Sequence, residues 1–529
     1  MMRSTFAGFT TAQLAMSASQ RALDVTGQNI ANINTRGYTR QRLDVNSINN
    51  TGGSIYNSRN GAKVGYGVEV TGLSQLRDPF LDIQYRNQMS KLGTTDSLAG
   101  GYEQLTNIFD EASLDGVRAA LRDISSALQK YSEEPNAKEI DTTVRSSMQI
   151  LLNLFHDNAS RLQDIRNDMT AGFESNDIAD VNQMLENLAE LNKNIKNSQI
   201  LGNPALELKD QRNDLLDQLA SYLPISVKYE VREIAPGQTI EVPNVYYTGN
   251  DGMTFTLVSD TDCGSFRADI TGQPVTLSVI GVEGGAPTDI TDTIPSGTLK
   301  GTLDILNQSG AFDRGTASVN GIGYYEQALD SLVNTFATLF NDINKAVQTD
   351  ADGNVVTDPN GDPVMIDRPL FEKIDPNADF SASNIKIADD WMNSKYGITI
   401  STKVIDGKIG STDTSNILNM INLLKDPQQF KGNGANGVTF FTGSFYDCFA
   451  GIENTLAIDL KSANTTLENQ ISVLNQTANA RDAVSGVQLD EEGMDLMHYN
   501  QSYTAAARFM TTLDEAMDTL INRTGVVGR

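Results

Sequence analysis

Several patterns in this 529-residue chain have the residue types and spacing that chemistry requires. Gly432-Asn433-Gly434-Ala435-Asn436-Gly437 satisfies the spacing of a phosphate-cradling glycine loop. That chemistry needs a strand before the loop and a helix after it, so that the phosphate meets free helix amides. Here an extended run, Val438 to Phe441, follows instead, and a plain loop is expected. Asp350-Ala351-Asp352-Gly353-Asn354 begins like a calcium loop, but Val355 stands where glycine must turn the chain and Gly361 where the closing glutamate must ligate. A Gly-Asn turn is the reading there. His156 and His498 are the only histidines, too few and too far apart for an HExxH or three-histidine zinc site within one chain. No G-x-S-x-G elbow presents a nucleophilic serine, Cys263 and Cys448 form no C-x-x-C pair, and 67 acidic residues offer too many carboxylate pairs to single one out. No catalytic, cofactor-binding or metal-ligating residue is assigned, and no enzyme or cofactor is expected.

The elements that would hold any site must therefore be read for packing. A formal charge of -27 repels phosphate backbones and anionic headgroups, so neither nucleic acid nor membrane is an expected partner. Gln13, Ser17, Ser19, Gln20 and Arg21 interrupt any apolar signal core near the N-terminus, and no run of about 18 apolar residues occurs. The chain is expected to stay in the cytoplasm or to leave by a route that reads no cleaved signal.

Leu114, Val117, Leu121, Ile124, Leu128 and Tyr131 alternate steps of three and four, the seam of a helix closed by Pro135. Val144 through Met169 and Ile178 through Ile195 mark two more long helices, and Leu329 to Ile343 a further one. Between them, Ile225-Val227-Tyr229-Val231 and Thr254-Thr256-Val258 alternate as strands, with turn signals at Pro236-Gly237 and Asn250-Asp251-Gly252. The fold class predicted is α+β with nested domains. Residues 1–45 with 486–529 form a terminal coiled coil. Residues 46–223 with 300–349 and 444–485 form a long-helix trunk. Residues 224–299 form a β insertion and 350–443 a second, mixed one.

At the N-terminus Phe9, Ala12, Met16, Ser19, Leu23, Thr26, Ile30 and Ile33 keep a three-four rhythm, and at the C-terminus Leu496, Tyr499, Tyr503, Ala506, Met510, Leu513, Met517 and Leu520 do the same. The two helices are predicted to pair. Arginines dominate the first end and carboxylates the second, which favours the pair modestly. Thr10 to Gln13, between Phe9 and Leu14, fits a capping box with its staple, and Ser4 fits an earlier start equally well.

Gln28-Asn29-Ile30-Ala31-Asn32-Ile33-Asn34-Thr35-Arg36-Gly37-Tyr38-Thr39-Arg40-Gln41 resembles the N-terminal signature of flagellar rod, hook and hook-associated proteins. Physically it reads as a helix exit, in which the asparagines and Gly37 tolerate left-handed angles and Tyr38 anchors the turn. Ser485-Gly486-Val487-Gln488-Leu489-Asp490-Glu491-Glu492, with the helix through Tyr499, Tyr503 and Ala505 to Leu520-Ile521-Asn522, is similar to the C-terminal signature of the hook-associated members. Leu208-Lys209-Asp210-Gln211-Arg212-Asn213-Asp214-Leu215-Leu216 resembles a motif of their helical trunk.

The resemblance implies a secreted structural protein at the hook-filament junction, exported through the flagellar type III apparatus. Its implied partners are further copies of itself, the hook protein, the second hook-filament junction protein and a cytoplasmic export chaperone. Phe9, Met16, Leu23, Ile30 and Ile33 would serve assembly, and the C-terminal seam assembly or chaperone binding. A hook or distal rod protein is the alternative within the class, and an exported peptidoglycan hydrolase or adhesin the alternative outside it.

Overall fold

The computed structural model describes residues 5–48, 65–112, 114–135, 137–235, 238–313, 319–410, 413–432 and 437–523. Helix α1, Thr5–Ala31, passes straight through the expected capping box. The Thr10 hydroxyl donates to the Phe6 carbonyl at 3.3 Å as an ordinary intrahelical bond. The earlier start is therefore the one adopted, and Ser4 lies outside the described residues. Past Ala31 the chain turns at Gly37, the one residue of the exit segment with a positive φ, +77°. It then enters an antiparallel ribbon of β1, Gln41–Ser47, and β2, Val68–Gln75, in which Gln41 faces Gln75 and Ser47 faces Val68. The sequence reading missed this ribbon, which packs against α1.

The trunk contains α2 (Pro79–Ala112), α3 (Leu114–Glu133), α4 (Lys138–Gly172), α5 (Ala179–Ile200) and α6 (Leu206–Tyr222). After the first insertion come α7 (Thr298–Asn307) and α8 (Ile322–Ile343); α9 (Asp389–Met392) and α10 (Ser415–Lys425) lie in the second. Helix α11, Phe445–Ser485, returns along α2, and α12, Leu489–Asp518, closes the chain against α1. Helices α4 and α5 were expected to be separate. They instead form one continuous run through a π-helical stretch, Phe173–Ile178, because nothing there caps or breaks the helix. Helix α2 went unread because Gly93, Gly100 and Gly101 interrupt its periodicity. Gly93 and Gly101 are where α2 meets its neighbours closely: a Cβ on Gly93 would lie 2.1 Å from the Ser221 carbonyl oxygen, and one on Gly101 2.8 Å from Ile305. Helix α11 starts on a capping box in which Ser444 and Asp447 bond each other reciprocally.

The first insertion holds a sheet in the order β3-β4-β5-β6 (Ile225–Ala235, Gln238–Thr248, Thr254–Ser259, Asp262–Cys263) and a smaller one of β7, β8 and β9 (Ser265–Asp269, Thr276–Ile280, Thr288–Asp289). The Asn250-Asp251-Gly252 turn is present, with Gly252 at φ +80°, whereas Pro236-Gly237 lies outside the described residues. The insertion leaves and rejoins the trunk at one place, where the Thr298 hydroxyl donates to the Ser221 carbonyl at 3.2 Å. It is nevertheless no free excursion. Tyr247, Leu257, Phe266 and Leu277 belong to the same buried cluster as Leu216, Leu219 and Leu303 of the trunk.

The second insertion is a set of short antiparallel pairs around Phe371, Trp391 and Phe430, which are fully buried. The Asp350 loop is a turn: Gly353 has φ +80°, and the Asp350 carboxylate accepts from the amides of Asp352 and Asn354 at 3.0 and 2.8 Å. The glycine-rich segment at Gly432 joins the strand Gln428–Lys431 to the antiparallel strand Thr439–Gly443, and Asn433 to Asn436 lie outside the described residues. His156 bonds the Ile385 carbonyl at 2.9 Å, while His498 sits exposed beside the Tyr499 ring.

Candidate functional site: the neck between the terminal helices and the trunk

Helices α1 and α12 run antiparallel, with Gly8 against Leu513 at one end and Asn29 against Glu492 at the other. The fully buried residues of α1 are Ala12, Ser19, Ala22, Thr26 and Asn29, spaced by three, four and seven. These are small or polar. The axes therefore approach closely, and the large residues expected to form the seam sit on its flanks. Phe9, Met16, Leu23 and Ile30 are half-buried, and Ile33, beyond the helix end, is exposed. On α12, Ala506 is buried, Tyr499, Tyr503, Met510, Leu513 and Met517 are half-buried, and Leu496 is exposed, as is Leu520 just past its end. The pair thus uses the predicted rhythm but turns its smallest residues inward.

At the inner end of this pair the three sequence motifs meet. Asn29 clamps the chain after the turn, its side-chain oxygen accepting from the Gln41 amide and its nitrogen donating to the Gln41 carbonyl, both at 3.0 Å. The same amide reaches Glu492 at 3.2 Å, and the Tyr38 hydroxyl donates to Asn29 at 2.9 Å. Arg40 donates through Nε to Glu492 and through Nη1 to Glu491, each at 2.6 Å, and through Nη2 to Asp495 at 3.3 Å. Burial works against the Arg40 charge, but Glu492 and Glu491 more than restore it, so its pKa stands above the ordinary value. Burial, followed by Glu207, Asp210 and Glu492, raises the Tyr38 phenol well beyond its usual range, and it stays a hydrogen-bond donor. Asn32 caps the exit locally, bonding the Gln28 carbonyl and the Thr35 hydroxyl. Leu489 and Asp490 are exposed at the first turn of α12. Among the described basic residues before Val45, Arg40 alone bridges to α12; Arg36 pairs with Asp214 and Arg42 with Asp44. The charge asymmetry of the two ends acts at one residue.

A second tier ties this knot to the trunk. Asp210 accepts from the Thr39 amide at 3.1 Å and its hydroxyl at 2.6 Å, and burial raises the Asp210 carboxyl despite those bonds. Gln41 donates to Glu207 at 3.3 Å, and Gln75 to the Leu206 carbonyl at 3.0 Å. Behind it, Asp217 accepts from Arg86 at 2.8 Å and from Arg481 at 2.7 Å, and Arg481 lies over the Tyr85 ring at 4.7 Å. One charged lattice thereby joins α2, α6 and α11. Sequence reasoning gave no role to Glu207, Arg86, Asp217 or Arg481, and gave Asp495 only a share in the opposite charge of the two ends. The signal was the density of alternating charges between Lys209 and Asp217 on a helix with few large exposed apolar residues.

Three stretches of the chain match known flagellar families. Residues 102–358 match the model of the flagellar hook-associated protein FlgK helical domain. Residues 9–39 match that of flagella basal body rod proteins, and residues 481–523 that of the flagellar basal body rod FlgEFG protein C-terminal region. The chain is 28% identical to flagellar hook-associated protein 1 of Bacillus subtilis, with all of both chains covered. It is 24% identical to the protein of that name from Salmonella typhimurium, covering 97% of this chain and 98% of the relative. The solved structure of the flagellar hook junction protein FlgK from Burkholderia pseudomallei is similar in fold, with a TM-score of 0.52 at 13% identity over 76% of this chain and 100% of that one.

Proposed function

The chain belongs to the flagellar hook-associated protein 1 family, and from that footing we propose that its terminal helix pair builds a lattice of copies at the hook-filament junction, held at a fixed angle by the neck. It is a structural component of the bacterial flagellum and associates with other flagellar parts. In the proposal those parts are the hook protein on one side and the second junction protein on the other, reached after export through the flagellar type III apparatus. The names of the relatives set the hook or distal rod reading aside, and the family is structural rather than enzymatic.

One observation carries the reading: three motifs, far apart in the chain, meet in one polar knot that joins α1 to α12 and both to the trunk. Orientation of that kind matters to a subunit whose ends must fit a lattice. The export chaperone, in this proposal, grips Met510, Leu513 and Met517. Leu513 packs on Gly8 of α1, and Met510 and Met517 are half-buried beside it, so a chaperone that takes Leu513 excludes closure of the pair.

The test is complementation of cells lacking the gene. Ala12 is 1% exposed, so Ala12→Leu overfills the helix contact while leaving the trunk core untouched. The variant should be exported yet leave hooks without filaments under the electron microscope. Normal filaments on that variant would remove the terminal pair from assembly.

A further inference from the structure

Helix α11 carries two lines of residues, one covered and one open. Leu456, Ala463 and Leu467 turn inward and join the trunk core, where the helix lies along α2. On the opposite side Ile458, Ser462, Thr465, Asn469, Val473 and Gln476 recur at steps of three and four, and Val484 closes the line. All seven are exposed, Ile458 by 66% and Val473 by 47%. None is charged, and Glu468 is the one charged residue between Lys461 and Arg481, in a chain that is 20% charged. Ser, Thr, Asn, Val and Ile are weaker helix formers than the lysine and glutamate that ordinarily cover a solvent face. Helix α5 has that ordinary pattern, with Glu186, Glu190 and Lys193 outward at the same spacing. Contact with water alone gives no reason for the outer line of α11.

We propose that this outer line is a contact between neighbouring copies of the chain, a helix face seated on the trunk of the next copy; the proposal rests on the assembly reading above. Three observations choose a second copy as the occupant. Copies that each carry -27 repel wherever charged faces meet, and a face without charge is where they can come together. The line runs along the flank of the longest helix pair of the trunk, α2 of 34 residues and α11 of 41, so a neighbour at the side meets it and a component stacked on an end does not. It also leads through residues 486–488 into α12, and so continues the surface already proposed for assembly. At 1.5 Å per residue the line is about 40 Å long and, one helix wide, covers roughly 400 Å². Stable complexes bury about 800 Å² on each partner, so this face is too small to hold two free chains together and closes only where other contacts already align them. In a ring the two faces that meet differ, so the surface opposite is not α11 again.

The experiment places the photo-crosslinking residue p-benzoylphenylalanine at Val473, or at the exposed control position Glu186, in the full chain expressed in cells lacking the gene. Purified flagella and the free secreted monomer are irradiated and blotted for this chain. Flagella with the probe at Val473 should give a product of twice the chain's mass, with both joined peptides from this chain by mass spectrometry, that the free monomer and the control at Glu186 lack. A product joined to any other flagellar protein, no product from flagella that contain the chain, or the same product from Glu186 would overturn the contact. Absence of the chain from flagella would instead overturn the assembly reading on which the contact rests. A second arm needs no probe. Thr465→Glu with Val473→Glu puts charge into the line at two exposed positions, so the isolated chain should keep the parent's helical circular dichroism and melting temperature while filaments per cell fall about tenfold or more. Normal filaments on that variant, or loss of its fold, would overturn the contact as well.

Discussion

Removing the Arg40 guanidinium should loosen the terminal pair and nothing else. Arg40 holds three carboxylates, but they are unequal: the Glu492 side chain is 1% exposed, while Glu491 and Asp495 are 45% and 42% exposed. The two solvated contacts contribute about 0–1 kcal/mol each. The loss in Arg40→Ala is therefore dominated by a Glu492 carboxylate left buried without its cation, about 3–5 kcal/mol for such cases. The Asn29 bond that Glu492 keeps trims this to about 2–4 kcal/mol. Glu492→Ala leaves Arg40 with two solvated carboxylates and should be milder, about 1–2 kcal/mol. Combining both should recover a coupling of about 1–3 kcal/mol in a double-mutant cycle. Amide hydrogen exchange followed by mass spectrometry reads it directly, because peptides from α1 and α12 report local opening while trunk peptides around Leu151 report a separate core. A coupling under about 0.5 kcal/mol, or equal loss of protection in the trunk, would refute the reasoning.

In the unmodified monomer, amides of α1 and α12 should exchange much faster than those of α4, since the pair buries mainly small residues; equal protection would contradict the packing described. Gly93→Ala forces a methyl onto the Ser221 carbonyl and should destabilise the trunk by about 1–3 kcal/mol in urea unfolding, whereas Gly100→Ala, with open space, should not. Burial pushes the Asp330 carboxyl up to about 6, against the hydrogen bond from the Ala382 amide and with Glu326 adding to the rise. The folded state then holds the proton that the unfolded state releases above its ordinary value of 3.8, so this group stabilises below about pH 4 and loses that contribution as pH rises to 6. After discounting for partial exposure, Asp330→Asn should be about 1–2 kcal/mol more stable than the parent at pH 7 and equal to it near pH 4, and an unchanged difference across that range would count against the assignment. Deleting residues 224–296 should leave ends that can be joined but uncover Leu216 and Leu219, giving a measurably lower melting temperature.

What could be read in advance followed from periodicity. The seams at Val117 to Tyr131 and at Val144 to Ile195 carry large apolar residues at every turn, and those helices were legible to within a few residues. Helix α2 was not: it buries Tyr102, Leu105 and Ile108 near its end, but Gly93 and Gly101, where α6 and α7 approach it closely, leave no hydrophobic signal to carry the seam further back. The seam read for α1 contained both small and large residues, and its small members Ala12, Ser19 and Thr26 are the ones buried, because closely approaching helices leave Phe9, Met16, Leu23 and Ile30 on the flanks. At the neck, the motif residues were visible as a resemblance, and Gly37 and Tyr38 behave as helix-exit chemistry requires. Asp210 and Glu492 were visible as motif residues, but which of them meets Thr39 and which Arg40 was not, since 171 residues separate the first pair and 452 the second and no local pattern fixes the match.

The most direct test of the account is a cryo-electron microscopy map of native flagella at the boundary between hook and filament. The account predicts this chain in a single band there, with α1 and α12 of each copy paired and innermost, Arg40 on Glu492, and the insertions outward. Density for the chain elsewhere along the axis, or α1 of one copy paired with α12 of another and the Arg40 knot undone, would contradict it.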